Sequence, residues 1–295
     1  MDFVMSNMIR PVIYGEVLFD CFPNGEQVLG GAPFNVAWHL QAFGDQPSLI
    51  SRVGNDEMGR NIISAMEKWG MDTASVQVDS QHQTGRVDIA VIENEPHYTI
   101  TPDCAYDFID IKEIKNLENT GILYHGTLGL RNTASRQTFE RLASMSNLSI
   151  FLDVNLRPPW WEKDQVCGWL EQARWVKLNT NELQELGAIS GDVKQDMAEF
   201  QARYDIEILI VTRGADGAIV RTRDGALYSS TLSKPPKFID TVGAGDAFTA
   251  VFIHGLISNW PLNDTLDAAQ HFASAVVGLR GAISSNTEFY REFKN

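Results

Sequence analysis

Asp240-Thr-Val-Gly-Ala-Gly-Asp246 places a glycine-rich turn between two carboxylates, directly before the apolar run 247–256. Phe248, Val251, Phe252 and Leu256 recur in that run at helical spacing. A turn that opens a buried helix leaves N–H groups unpaired at the helix start, and such a start holds a negatively charged oxygen without a lysine. Gly243 and Gly245, with Ala244 between them, let the backbone come close to that oxygen. Asp246 would repel an anion there, so its presence suggests a chemical task. Taking a proton from an alcohol that attacks a phosphoryl group fits that task. The plain alternative is a capping aspartate after a glycine-rich loop.

Other polar residues stand at ends of apolar runs. Asp20 and Gly30-Gly31 precede the segment 32–44, which has Pro33 near its first turn, Phe34, Ala37 and Leu40 on one side, and Gly44 as a stop. This predicts a helix with Asn35 in its first turn, one turn before His39. Asn35 and Asp20 are acceptors that suit a polyol better than a phosphate. Asp153-Val-Asn-Leu-Arg157 ends a strand at 149–154, where alternate residues project to one side. Asn179 and Glu182 follow a strand at 175–178, where a helix start rich in acceptors is the simple reading. Thr212, Gly214 and Gly217 follow a strand at 208–211.

The elements that must position these residues alternate. Strands at 122–124, 149–154, 175–178 and 208–211 are separated by helices at about 133–144, 161–172, 180–187 and 192–203. That rhythm predicts a parallel sheet covered on both faces, with ligands beyond the strands' C-terminal ends, where every motif above falls. A first strand at 12–14 reads as continuing through 15–20, and another spans 48–53. After a loop containing Asp56, taken as structural, comes a helix with Met58, Ile62, Ala65, Met66 and Trp69 on one face. A hairpin at 84–92 and 97–101 would form a small separate sheet with 15–31; Arg86 and His97 lie on it. Edge strands at 217–222 and 226–230 and a last helix at 264–279 complete the reading.

Composition bounds the function. In 295 residues, 44% of them hydrophobic, Lys and Arg number 24 against 38 Asp and Glu, a net charge of −14. This argues against nucleic acid and anionic membrane as partners. Cys21, Cys104 and Cys167 lie far apart and read as free thiols of a reducing compartment. With no signal peptide and no run long enough to span a bilayer, a cytoplasmic location is expected.

The 240–246 stretch resembles the C-terminal signature D-T-x-G-A-G-D of the ribokinase-like (PfkB-type) carbohydrate kinases, and Gly30-Gly31-x-x-x-Asn35 resembles their sugar-binding signature. The resemblance extends over nearly the whole chain. It implies one α/β domain over 1–295, a ribokinase-like three-layer sandwich with a central, mostly parallel sheet and a small β-sheet lid at about 15–31 and 84–101. It implies transfer of the γ-phosphoryl group of ATP to a sugar hydroxyl. Asp246 would be the base, with the 243–246 N–H groups and Arg157 stabilising charge. Asp20, Gly30, Gly31, Asn35 and Asp153 would hold the sugar. Asn179, Thr212, Gly214 and Gly217 would meet the ATP phosphates, and Glu182 the water shell of Mg²⁺. His271 falls near where the family seats adenine. Gly281 and Ser285, with Asp240 and Thr241, resemble the loops that bind a monovalent cation such as K⁺ in many members. In many members the lid also pairs between subunits, implying a homodimer. The pattern D-x-N-x-R followed by Trp160-Trp161 looks like fructokinases and 2-keto-3-deoxygluconate kinases. Fructose is the first expectation. A keto-deoxy sugar acid, its carboxylate met by Arg86 or Arg157, is the second; a nucleoside kinase and a non-catalytic sugar-binding regulator stand behind them.

Overall fold

The structure, a computed structural model, describes residues 10–92, 95–115, 121–144, 147–187, 190–231 and 241–293. In chain order it begins β1 (Val12–Tyr14), β2 (Leu18–Cys21), β3 (Gln27–Gly30), α1 (Ala32–Phe43), β4 (Ser48–Gly54), α2 (Glu57–Lys68) and β5 (Val76–Asp79). The hairpin β6 (Gly85–Ile92) and β7 (Glu95–Ile100) follows. Next come β8 (Ile122–His125), α3 (Thr133–Ala143), β9 (Ser149–Asp153), α4 (Lys163–Leu170), β10 (Trp175–Asn179), α5 (Thr180–Glu185) and α6 (Val193–Tyr204). The last elements are β11 (Ile208–Thr212), β12 (Ala218–Thr222), β13 (Leu227–Ser230), α7 (Ala244–Ile257) and α8 (Leu262–Val276).

Nine strands form one sheet in the order β13-β12-β11-β10-β9-β8-β1-β4-β5. All pairs are parallel except β11 with β12 and β12 with β13. Strand residues alternate between two cores. Ile13, Leu49, Tyr124, Phe151 and Ile210 face the layer of α1, α2, α7 and α8. Val12, Ile50, Leu123, Leu152, Val176 and Leu209 face α3 to α6. Two covered faces explain why these strands read as unbroken apolar runs. The large sheet with a smaller one beside it is the ribokinase-type α/β architecture expected.

The smaller sheet, β3-β2-β6-β7, is the expected lid. One expectation is corrected here: β1 does not run on through 15–20. Gly15 adopts φ 142°, and the chain leaves the large sheet there to enter the small one as β2. A Cβ at Gly15 would stand 2.6 Å from the Pro33 ring, so the bend packs directly on the first turn of α1. The edge strand β5 and the 3-10 turn Thr287–Phe293 were not foreseen; both are too short for periodicity to reveal.

Local chemistry sets the helix ends. Asp56, Asn132 and Asp192 cap α2, α3 and α6 with side-chain oxygens, and Gly44 closes α1 in the left-handed region. Asp56 also accepts from the backbone N and hydroxyl of Thr84, which confirms its structural part.

Candidate active site

Gly243 begins α7 with φ 80° and no side-chain cap, so the first N–H groups of the helix, those of Gly245 and Asp246 among them, lack helical partners. Gly243 cannot carry a side chain: a Cβ there would lie 2.2 Å from Ala282 Cβ. The loop containing Gly281 therefore backs the turn. Asp246 lies in the first turn of α7 and accepts a 2.8 Å hydrogen bond from Asn35 Nδ2. The two residues are 211 positions apart, and this bond joins the Gly30-Gly31-x-x-x-Asn35 pattern to the glycine turn at the start of α7. Burial lifts the Asp246 carboxyl to about 6; Asn35 opposes the shift, Asp153 adds to it, and Lys177 and Arg157 oppose it.

The remaining motifs end neighbouring strands, at the side where parallel sheets bind ligands. On β2, Asp20 pairs in register with Val28, whose Cγ1 would lie 3.0 Å from a Cβ at Gly281. Asp20's face of the lid therefore looks onto the loop behind the anion turn. A Cβ at Gly30 would sit 3.6 Å from Asp20 Oδ2, and one at Gly31 (φ 107°) 2.7 Å from the Glu16 carbonyl. Asn35 is 4% exposed, and its Oδ1 has no partner. Arg86 shares the other lid face, opposite Phe19, and pairs with Asp88; it is not an anchor beside Asp20.

Several expected roles change. Asp153 is 2% exposed and takes Lys177 Nζ at 2.9 and 2.8 Å and Thr249 Oγ1 at 2.9 Å. Its carboxylate is spent inside the protein, not on a sugar. Asn155 turns at φ 41°, ending the alternation that was to align Asp153 with Arg157. Arg157 is exposed, within electrostatic reach of Asp246 and Glu16. Asn179 and Glu182 form a capping box: Asn179 Oδ1 accepts from Glu182 N at 2.9 Å, and Glu182 Oε2 from Asn179 N at 2.8 Å. Glu182 Oε1 also accepts from Leu156 N at 2.8 Å, so the carboxylate clamps the ends of β9 and β10, and a metal's water shell would fall to its remaining lone pairs. Burial raises the Glu182 pKa. Thr212 ends β11, and Gly214 and Gly217 shape the turn after it. A Cβ at Gly217 would stand 2.0 Å from the Ser230 carbonyl, so packing demands that glycine.

His271 is exposed on α8, its ring 5.1 Å from that of Phe293 in the C-terminal turn. Thr241 is exposed, and Asp240 lies outside the described residues. Ser285 lines a surface cavity of about 310 Å³ with Gln41, Lys68 and Trp69, away from the turn. In the same loop the carbonyls of Ala282 and Ser284 already take hydrogen bonds from His39 and Trp38. Among the described residues no cluster of three or more His, Cys, Asp or Glu forms a metal site.

Sequence reasoning missed Lys177. It is 6% exposed, and a Cβ at Gly245 would lie 3.4 Å from its Nζ. Burial works against its charge, but Asp153 outweighs it and the pKa is raised. Thr249 bonds both Asp153 and the Gly245 carbonyl (3.0 Å), completing a buried network behind the anion turn. The missed signal is a lysine within the apolar strand Trp175–Asn179. A cation in a strand covered on both faces must have a partner.

Helix-start donors beside a half-buried acid, at the strand ends of a ribokinase-type fold, define a phosphotransferase acting on an alcohol group. The chain belongs to the pfkB family of carbohydrate kinases, whose pattern it matches over residues 14–288, and it is a sugar kinase. It is 27% identical over 294 residues to a fructokinase of Salmonella typhimurium, covering 92% of this chain and 94% of the relative. It is 26% identical to a 5-dehydro-2-deoxygluconokinase of Geobacillus thermodenitrificans, covering 84% and 78%. The fold matches a Vibrio cholerae fructokinase solved with fructose, ADP and calcium, at a TM-score of 0.82 and 24% identity over 98% of this chain and 100% of that one. A Pyrococcus horikoshii sugar kinase solved with ATP gives a TM-score of 0.76 at 26% identity, covering 93% of each chain. No helix among the described residues is long and apolar enough to cross a membrane.

Proposed function

We propose that this kinase transfers the γ-phosphoryl group of ATP to a hydroxyl of a neutral ketose, with fructose the first candidate. The observation that carries the reading is the Asn35–Asp246 bond, which brings a hydroxyl-binding amide and an acid of pKa about 6 together at the start of α7. Near neutral pH that acid is ionised yet basic enough to accept a proton from a sugar alcohol. The free N–H groups of α7 stabilise the charge of the transferring phosphoryl group, with Arg157 beside them.

Charge favours the neutral sugar. Arg131 is neutralised by Asp107, Lys177 by Asp153 and Arg86 by Asp88. Arg157 is left facing Asp246 and Glu16, so a substrate carboxylate would find no surplus cation there. The 5-dehydro-2-deoxygluconokinase relatives keep a keto-deoxy sugar acid in view as the second reading; such an acid and 2-keto-3-deoxygluconate belong in the same assay.

The donors fit a nucleotide with Mg²⁺: the α7 start and the Thr212–Gly217 turn for phosphates, Asn179 and Glu182 toward a hydrated ion. When bound, the metal supplies charge neutralisation for the phosphates. ADP release measured over fructose, other ketoses, sugar acids and nucleosides tests the reading. Turnover preferring fructose supports it. Preference for the sugar acid shifts the assignment, and ATP binding without turnover favours a regulator.

A further inference from the structure

The first residue of the lid's root, Glu16, plays no part in the reaction derived above, yet it is a carboxylate 2% exposed within electrostatic reach of Asp246, Arg157 and Arg131. One side of it is held: its own backbone N–H bonds the carboxylate, and its carbonyl rests against Gly31 of the sugar pattern. Its Oε2 has no partner and lies 3.2 Å from where a Gly129 side chain would begin.

Across from it, Arg131 is fixed as few arginines are. Nε and Nη2 donate to the two oxygens of Asp107 at 2.7 Å each, and Nη2 also to the Thr101 carbonyl at 2.7 Å. The guanidinium lies over the rings of Tyr106, at 5.0 Å, and Trp160, at 4.4 Å. Nη1 is left without a partner, as is the Tyr106 hydroxyl beside it. Thus an acceptor, a donor and a hydroxyl, all buried and unpaired, lie within electrostatic reach of one another, the acceptor on the residue whose carbonyl backs Gly31. Buried polar atoms are rarely left this way, and several of them together mark a place where a ligand completes the bonding.

We propose that Glu16 and Arg131 are a specificity pair, reading hydroxyls of the sugar other than the one that is phosphorylated. This rests on the sugar-kinase reading and deepens it. Adjacent hydroxyls of a polyol each donate and accept, so they satisfy Glu16 Oε2 and Arg131 Nη1 at once. A carboxylate placed there would meet Glu16 with like charge. Because Thr101 directly follows β7 and the Tyr106 ring packs on Gly85 at the start of β6, the pair also fixes both roots of the lid hairpin to the site it reads.

The test is calorimetric titration of D-fructose and its singly deoxygenated analogues into wild type, Glu16→Gln, Arg131→Met and Arg131→Lys, without nucleotide, alongside steady-state kinetics. Glu16→Gln keeps the shape and Arg131→Lys the charge. Each variant is expected to weaken fructose binding roughly 10- to 100-fold, with the loss falling on the sugar KM and not on the ATP KM. For one deoxy analogue, wild type and Glu16→Gln should bind alike, because the hydroxyl that Glu16 reads is gone. Equal losses for fructose and every analogue would mean a merely structural role and overturn the pair. Undiminished fructose binding in Glu16→Gln would do the same while leaving the kinase reading intact. Wild type that binds and turns over no sugar would overturn both. Should Arg131→Met fail to fold, Glu16→Gln still decides.

Discussion

Asp246 is the proposed base, and its neighbours tune when it can act. Asp246→Asn should lower kcat about 10²- to 10⁴-fold while fructose still binds; near-normal turnover would remove the assigned base. The groups facing Asp246 include Asn35 from α1, Asp153 and Arg157 from β9 and the loop after it, Lys177 from β10, Tyr124 from β8 and Glu16 from the link between β1 and β2. With Asp246 held at about 6, kcat/KM should rise with pH through an acid limb near that value. Stability should move the other way. Asp246 and Glu16 (burial lifts the latter to about 7) bind protons more tightly folded than unfolded. Their ionisation therefore costs native stability above pH 7, and this cost is relieved as pH falls toward 5. Urea midpoints of wild type and Glu16→Gln across that range check the sign, since the variant should lose part of the slope. Asp246, Asn35 and the glycines were legible because several residues agreed at fixed spacing. Glu16, Arg131 and Lys177 were not, because each is a single charge whose meaning depends on what burial brings beside it.

Helices and strands were legible where periodicity and end signals coincided: α1 from Pro33 and Gly44, the parallel strands from their apolar runs. The break between β1 and β2 was hidden, since Gly15 sits within an alternation that reads as one strand, and only packing on Pro33 shows why it bends. The anion turn is likewise an element held by contact. Gly243→Ala would add a Cβ 2.2 Å from that of Ala282 at a φ of 80°. It should lower both the melting temperature and kcat, whereas a substitution at Gly25, with open space around it, should lower stability alone. Behind the turn, Lys177→Met would strand Asp153 uncharged-for in the interior and cost about 3–5 kcal/mol. Removing both charges in Lys177→Met/Asp153→Leu should recover most of that in denaturant unfolding. Recovery of stability without recovery of kcat would show that the ammonium also serves the anion turn.

At the scale of the whole molecule, an ion pair joins the lid to the body. Arg280, beside the loop that backs the anion turn, pairs with Glu26 in the β2–β3 turn. The proposed hydroxyl-binding residues stand on both parts, Asp20 on the lid and Asn35 on the body. Sugar should therefore draw them together, and amide exchange in β2 and β6 should slow several-fold on adding fructose. Unchanged exchange in those strands would argue against closure over the substrate. Tyr98 on the edge strand β7 is 57% exposed, and we propose that this edge pairs with a second copy of the chain, which sedimentation would report.

Helix α1 touches the candidate site at two places. Asn35 in its first turn holds Asp246, and one turn later Trp38 and His39 bond the Ser284 and Ala282 carbonyls. A carbonyl can only accept, so His39 Nε2 carries the proton, while burial keeps the ring neutral, its pKa lowered to about 3. Ala282 in turn presses on Gly243. A single rigid rod thus works as a gauge block, setting by its own pitch the spacing between Asp246 and the loop behind Gly243. Chimaeras that take this helix from one relative and the closing segment 281–290 from another would inherit every reactive group and still be out of alignment.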